Sequence, residues 1–435
     1  MSFRAVQRTT TALWALLALI ALPACATVYY ASAEGGGDGK SQDSPALVAD
    51  VLSRLQPGDR LILLDGIYTG DDSMLLIEGS IAGTAQAPIT ISAQNDGRVL
   101  IDGEGVRRPV TLHDTEYVIV EGINAWRSRL GVVSILRSNH CTVRRVCGWD
   151  AGDGNTNIFG VHYGEYNLIE DCAGWGVARK TFSCSQDGNY TTFRRCWGRW
   201  EGCTNVGPKM TWTLSYNSYG TLAENCIGTW DAQKMPETYV VHNHGEPYVM
   251  PGTRFAEPVT MTDYAVDQPY GIFAIDRRHG PDVRLYGCIA YRLAEQRVAD
   301  YIANYSIARD EDSTAQMENC VSFIEVGAPS ANNFRLIHVN ARNLTAIGGT
   351  PGIFENSTTE NMLILERPET LIAKDGNILR AGEGAQVWYR YHNGQLTDEP
   401  LWPWPMNDRI LALTGVDVTR TVFELGGGSL PQAFE

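Results

Sequence analysis

The chain is predicted to be all-β: one right-handed parallel β-helix of about eleven coils, with an N-terminal capping helix and an irregular C-terminal cap. Three observations predict it. One short cysteine motif recurs six times, as "CTVRRVCGW", "NLIEDCAGW", "TTFRRCWGRW", "TLAENCIGTW", "VRLYGCIAY" and "AQMENCVSF". Its cysteines (Cys147, Cys172, Cys196, Cys226, Cys288 and Cys320) are separated by 25, 24, 30, 62 and 32 residues. Val99, Ile123 and Leu344 extend the register in steps of 24, and a base period near 24 with insertions marks a repeat architecture. Finally, the residue before the ladder position is Asp171, Asn225, Gly287, Asn319 or Asn343. These types tolerate the left-handed backbone that a tight bend between two strands demands.

The first 26 residues read as a targeting segment. Arg4 and Arg8 precede the apolar run "ALWALLALIAL", which is too short to span a bilayer, and Ala24-Cys25-Ala26 fits small-residue cleavage. Cleavage after Ala26 frees the protein; "LPAC" would instead make Cys25 a lipidated terminus. Either route takes the chain out of the cytoplasm, to an extracellular, periplasmic or outer-surface location. The formal charge of −15 becomes more negative once both arginines are removed, which argues against a nucleic-acid partner. No membrane span is expected, and the folded chain is expected to be a monomer.

Residues 27–60 should supply a first strand and a helix, "SPALVADVLSRL" (44–55), with Ser44 as N-cap and Pro45 in the first turn. Such a helix would cover the unpaired edge at the N-terminal end. The coils should run over 61–365, each with three short strands and three turns. The ladder cysteines should point inward, since Cys is small, apolar and often buried. Mostly free thiols are expected; Cys184 and Cys203, off the ladder, are the pair to expect if a disulfide forms. The 62-residue step should carry an inserted loop, 231–270, forming one wall of a cleft. In 366–435, Trp402 and Trp404 should form an apolar lid on the far end.

"YYASAEGGGDG", "PGDRLILLDGIYTG" and "APITISAQNDGRVLIDGEG" resemble the opening of pectate-lyase-like right-handed β-helix proteins acting on polysaccharides. The resemblance, with the coil pattern, extends over about residues 28–365. It implies a polysaccharide bound along the outer face of one parallel sheet, in a groove walled by turn loops. A polysaccharide lyase cleaving an acidic glycan by β-elimination is the leading expectation. Glycoside hydrolysis in the same groove, or non-catalytic glycan binding, are the alternatives. No triplet of acids on neighbouring coils matches that of β-helix pectin hydrolases.

A uronate lyase needs a cation facing the carboxylate and a base for the proton beside it. "GVARKTF" offers Arg179 as stabiliser and Lys180 as base; Lys209 is one coil later and His162 one coil earlier. Adjacent cations lower a lysine's pKa toward useful basicity. Further substrate contacts are expected from Trp175, Trp200 and Tyr216, and from "AIDRRHG" with Asp276, Arg277 and His279. In the insertion, "YVVHNHGE" places His242 and His244 at i, i+2, a spacing that suits a cleft wall and permits metal binding. Asp150 and Asp153 in "WDAGDGNTN" are the candidate oxygen ligands for Ca²⁺, without EF-hand spacing.

Overall fold

The computed structural model describes residues 26–152, 154–203, 209–230, 240–243, 246–249, 271–275, 282–291, 303–308, 315–324, 332–365, 385 and 387–426. Each coil contributes one strand to a ten-stranded front sheet, which runs from Leu75–Glu78 to Thr350–Glu355. Two more strands per coil form a second and a third face, which together make a 21-stranded sheet. Every pairing along the stack is parallel. The architecture is a parallel β-helix. Val28–Ala31 and Arg60–Leu63 pair on the second face before the first complete coil.

The bend between the second and third faces is the left-handed one. Asp171, Asn225, Asn319 and Asn343 have φ of 51°, 51°, 53° and 52°, and Gly287 has 64°. Arg145 and Arg195 occupy the same bend at 50° and 49°, although an arginine gains nothing from that region. Directly after the bend runs the inward row. Trp197 pairs with Ala173 and Ile227, Ile289 with Ile227 and Val321, which aligns Cys172, Cys196, Cys226, Cys288 and Cys320. All five are buried and free. Cys147 is the exception: it pairs with Asn124 and Ala173, so Val146 takes the rung and Cys147 faces the opposite side of the strand. A one-residue slip turns a side chain over. No disulfide joins Cys184 to Cys203; their thiols are directed to the carbonyls of Gly188 and Gly154.

Inside, the front sheet stacks Phe159, Phe182, Trp212, Phe273, Tyr305 and Phe334, with neighbouring ring centroids 4.1 to 5.4 Å apart. Opposite stands a column of glycines, Gly148, Gly174, Gly198 and Gly228, in register on the third face. A Cβ on Gly228 would lie 2.2 Å from Ile272 Cγ2 and 2.9 Å from Trp212 Nε1. Gly228→Ala therefore overpacks a filled core, and its expected cost is about 1–3 kcal/mol. Urea unfolding measures it; an unshifted midpoint would show that the coil can widen here.

At the N-terminus, the helix is Val48–Leu52, shorter than the sequence suggests. Its N-cap is Leu47, while the Ser44 hydroxyl instead accepts the Asp38 N–H. Val48, Val51 and Leu52 are buried in the core of the first coils.

The C-terminal segment departs more. Rather than a lid on the far end, Ala385 and residues 387–423 form a strap along the flank. Trp402 and Trp404 are buried, but against Cys147, Trp175, Trp197, Ile227 and Val321 on the outer side of the third face. A hairpin, Tyr389–His392 with Gln395–Pro400, leads into it. Helices Asn407–Thr414 and Val418–Gly426 end it. The strap runs back toward the N-terminus: Asn319 donates to the Tyr391 hydroxyl, Arg194 to Asn393, and Arg409 to the Arg145 carbonyl and Asp96.

Candidate functional site

Strand alternation decides what the front sheet shows to the outside. With Phe159, Val161, Phe182 and Cys184 packed inside, Gly160, His162, Ser183 and Ser185 face outward. Parallel register then sets these positions side by side on successive coils. Asn157 aligns with Lys180 and Met210, Gly160 with Ser183 and Thr213, and His162 with Ser185 and Tyr216. Three coils near the middle of the stack thus share one polar floor.

Lys180 opens its strand and is largely covered. Burial, and then the charge of adjacent Arg179, lower its pKa to about 7. Arg179, partly exposed on the preceding turn, donates from Nη1 to Asn155 Oδ1 at 2.6 Å. His162 is held from both sides, with Nδ1 2.8 Å from Ser185 Oγ and Nε2 3.2 Å from Asn157 Nδ2. An amide nitrogen can only donate, so Nε2 accepts and Nδ1 carries the proton. Burial and the Lys180 charge push the His162 pKa down to about 4, leaving a neutral ring at pH 7. Gly160 makes this arrangement feasible: a Cβ there would lie 2.9 Å from His162 Nε2 and 3.0 Å from Asn157 Nδ2.

The floor also carries unsatisfied acceptors. Asn157 Oδ1, Ser183 Oγ and Thr213 Oγ1 are buried without a partner among the described residues, and such groups are costly unless hydrogen-bonded. They face outward on the three coils that hold Lys180 and His162. Asn157 and Ser185 escape the sequence reading, because an isolated Ser or Asn carries no signal until register aligns it. The alternation of each front strand was the clue available.

Of the other expected site residues, Lys209 is 1% exposed, a buried side chain rather than a second base open to substrate. Trp175 and Trp200 are not sugar platforms. Trp175 stacks on Trp149 at 5.0 Å beneath the strap, and Trp200 points into the core, 4.0 Å from Trp230. Their ring faces already meet other rings. Asp150 does not fit a Ca²⁺ ligand: one carboxylate oxygen accepts the Trp126 indole N–H and the other the Val177 N–H. Among the described residues, no three His, Cys, Asp or Glu side chains gather to hold a metal ion. His242 lies on the strand Val240–Asn243, paired antiparallel with Glu246–Val249, and Tyr216 ends Met210–Tyr216. Asp153, His244, Asp276, Arg277 and His279 lie outside the described residues, as do residues 1–25 with Cys25. No helix among the described residues is long and apolar enough to cross a membrane.

Residues 43–127 match the profile of the chondroitinase B family. No curated protein matches. Among solved structures, a rhamnogalacturonan lyase is 14% identical, with 90% of this chain and 99% of that one covered and a TM-score of 0.45. An alginate lyase from Paenibacillus is 14% identical over 76% of this chain and 98% of its own, at 0.44. A pectate lyase is 12% identical over 79% and 77%, at 0.45. The parallel β-helix expected from the sequence stands, and the family match covers its N-terminal part, residues 43–127.

Proposed function

We propose that the chain is an exported polysaccharide lyase that cleaves an acidic glycan on the front sheet, with Lys180 as the base. The observation that carries this reading is the register of the front sheet, which sets Lys180, directly after Arg179, beside Asn157, the partner of His162; burial and Arg179 lower the lysine's pKa to about 7. An ordinary lysine near 10.4 is neutral in only about one molecule in 2,500 at pH 7. Here the free amine is a major species, and a base works best when its pKa is near the operating pH.

In the step proposed, the Lys180 amine takes the proton on the carbon beside the uronate carboxylate. Arg179 offsets the negative charge that builds on that carboxylate. The electron pair left behind forms a carbon–carbon double bond as the glycosidic C–O bond at the next carbon breaks. The departing oxygen gains a proton, and the lysinium returns to its amine. His162 stays neutral, with both ring nitrogens engaged, so its contribution is to fix the floor beside Lys180. The buried acceptors of Asn157, Ser183 and Thr213 suit sugar hydroxyls.

The same reading takes 1–26 as the leader, 61–365 as the β-helix, 231–270 as a cleft wall and 366–435 as the C-terminal extension. The protein then acts as a monomer outside the cytoplasm. A panel of polyuronates and uronate-containing glycosaminoglycans tests the activity through the absorbance of unsaturated uronates. Growth of that absorbance on one of them is the expected result. Reducing ends without it would mean hydrolysis, and binding without cleavage would mean a non-catalytic module; either defeats the lyase reading.

A further inference from the structure

The turns leading into the front strands carry two arginines that stay outside the ion pairs formed there. Asp71 and Glu104 are bound by Arg107, and Asp102 by Arg127. Arg108 and Arg129 remain. Both are exposed, and among the described residues neither has a carboxylate within ion-pair distance. The Arg129 N–H donates to the Arg107 carbonyl at 2.8 Å, which in parallel pairing sets Arg129 beside Arg108 one coil on. An apolar neighbour accompanies each: Val106 is 60% and Leu130 40% exposed. Large aliphatic side chains this open, beside unneutralised guanidinium groups on consecutive coils, make a strip that is apolar and cationic together.

The strip lies on the same edge of the front sheet as Arg179. Arg108 precedes the strand Val110–His113 and Arg129 precedes Val133–Leu136. Asn155, the partner of Arg179, precedes Asn157–His162, and Arg179 precedes Lys180–Ser185. Four successive coils thus present Arg108, Arg129, Asn155 and Arg179, a run on the order of 14 Å at the spacing of paired strands. One coil matches roughly one sugar ring along an extended chain. A uronate offers an apolar C–H face and a carboxylate, which are what the strip can receive. Exposed guanidinium groups outside ion pairs are the more selective here because the whole chain carries −15.

We infer that Arg108 and Arg129, with Val106 and Leu130, form a distal subsite holding an acidic glycan chain two to three coils toward the N-terminus from Lys180. The inference rests on the reading of the front sheet as the glycan groove and extends it. The substrate is then an extended polyanion lying along the helix axis, not a single terminal sugar. Grip from this subsite should grow with chain length and fall with salt.

The test is equilibrium binding of galacturonate, mannuronate and guluronate oligomers of three and eight units, with Lys180→Ala as background so that no probe is cleaved. The octamer should bind more tightly than the trimer in that background. Arg108→Ala with Arg129→Ala should remove about tenfold of the octamer's affinity, as two exposed charge contacts are worth together, and flatten its salt dependence. Arg108→Lys with Arg129→Lys should keep the salt dependence. An octamer that binds equally with and without the two arginines overturns the subsite, as does failure of every oligomer to bind. Arginine-dependent binding by a protein that cleaves nothing would support the subsite and defeat the lyase. Cleavage without arginine-dependent binding would do the reverse.

Discussion

Lys180→Ala should lower turnover on the responsive polyuronate at least about a hundredfold, the usual contribution of a positioned base. The wild-type pH profile should identify the group. A base acts deprotonated, so kcat/KM should rise with pH and level off above a midpoint near 7, where the Lys180 amine is freed. Arg179 is the second cause of that low value, after burial. Arg179→Gln should therefore move the midpoint to higher pH as well as weaken turnover. Stability supplies a separate readout. The folded-state pKa lies below the unfolded one, so the unfolded chain holds more protons between about pH 7 and 10.4. The stability contributed at this position rises with pH across that window, and the full penalty of the buried charge is present below it. Lys180→Met should thus melt higher than the wild type at pH 6, with the advantage shrinking by pH 9. Full turnover in Lys180→Ala would remove the assignment, whatever the melts show.

Glu224→Ala should destabilise the protein by about 3 kcal/mol and loosen the strap, although the residue lies on the second face and not on the polar floor. Its carboxylate is fully covered; it accepts from Arg194 Nε at 2.8 Å and from the Gly394 N–H. Arg194, itself 6% exposed in its side chain, also reaches Glu170 and Asn393. Arg195 joins Glu170 to Asp171. Removing one member leaves a buried guanidinium short of a partner, which typically costs about 3–5 kcal/mol. Glu170 remains within 3.2 Å of Arg194, which places the expectation at the lower end. Urea unfolding gives the loss, and limited proteolysis should show cuts near 389–400 at protease levels that spare the wild type. A variant as stable and as resistant as the wild type would mean that the apolar side of the strap holds it alone.

Much of the architecture could be read from the chain because coils repeat both an apolar residue and a bend. Asp171, Asn225, Gly287, Asn319 and Asn343 announce left-handed backbone by their type. Where the bend residue does not announce itself, the reading slips. In "RRVCGW" the bend is Arg145, nothing marks it, and Cys147 is taken for the rung that Val146 fills. The tryptophans fail for the same reason. Trp175 pairs with Trp149, but Trp200 follows the bend by one residue more and turns inward. Lys180 is legible because a charged residue at a strand start stands out. The acceptors around it become a site only through register. The flank was beyond reach: Arg194 and Asn393 are 199 residues apart in the chain, and no local pattern encodes a contact at that range.

That strap bears on how the protein comes apart. A stack of coils in which each touches only its neighbours resembles a one-dimensional chain of semi-independent units, free to fray from an end or open in the middle. Here a single segment touches coils from Asn319 back to Asp96, so opening any one of them also strips the segment from the rest. Nearest-neighbour coupling becomes long-range coupling, and the population of half-unwound molecules falls. Melting should be sharp for so long a solenoid, with fluorescence of the strap tryptophans and far-ultraviolet signal from the strands changing together. Detaching the strap should separate the two.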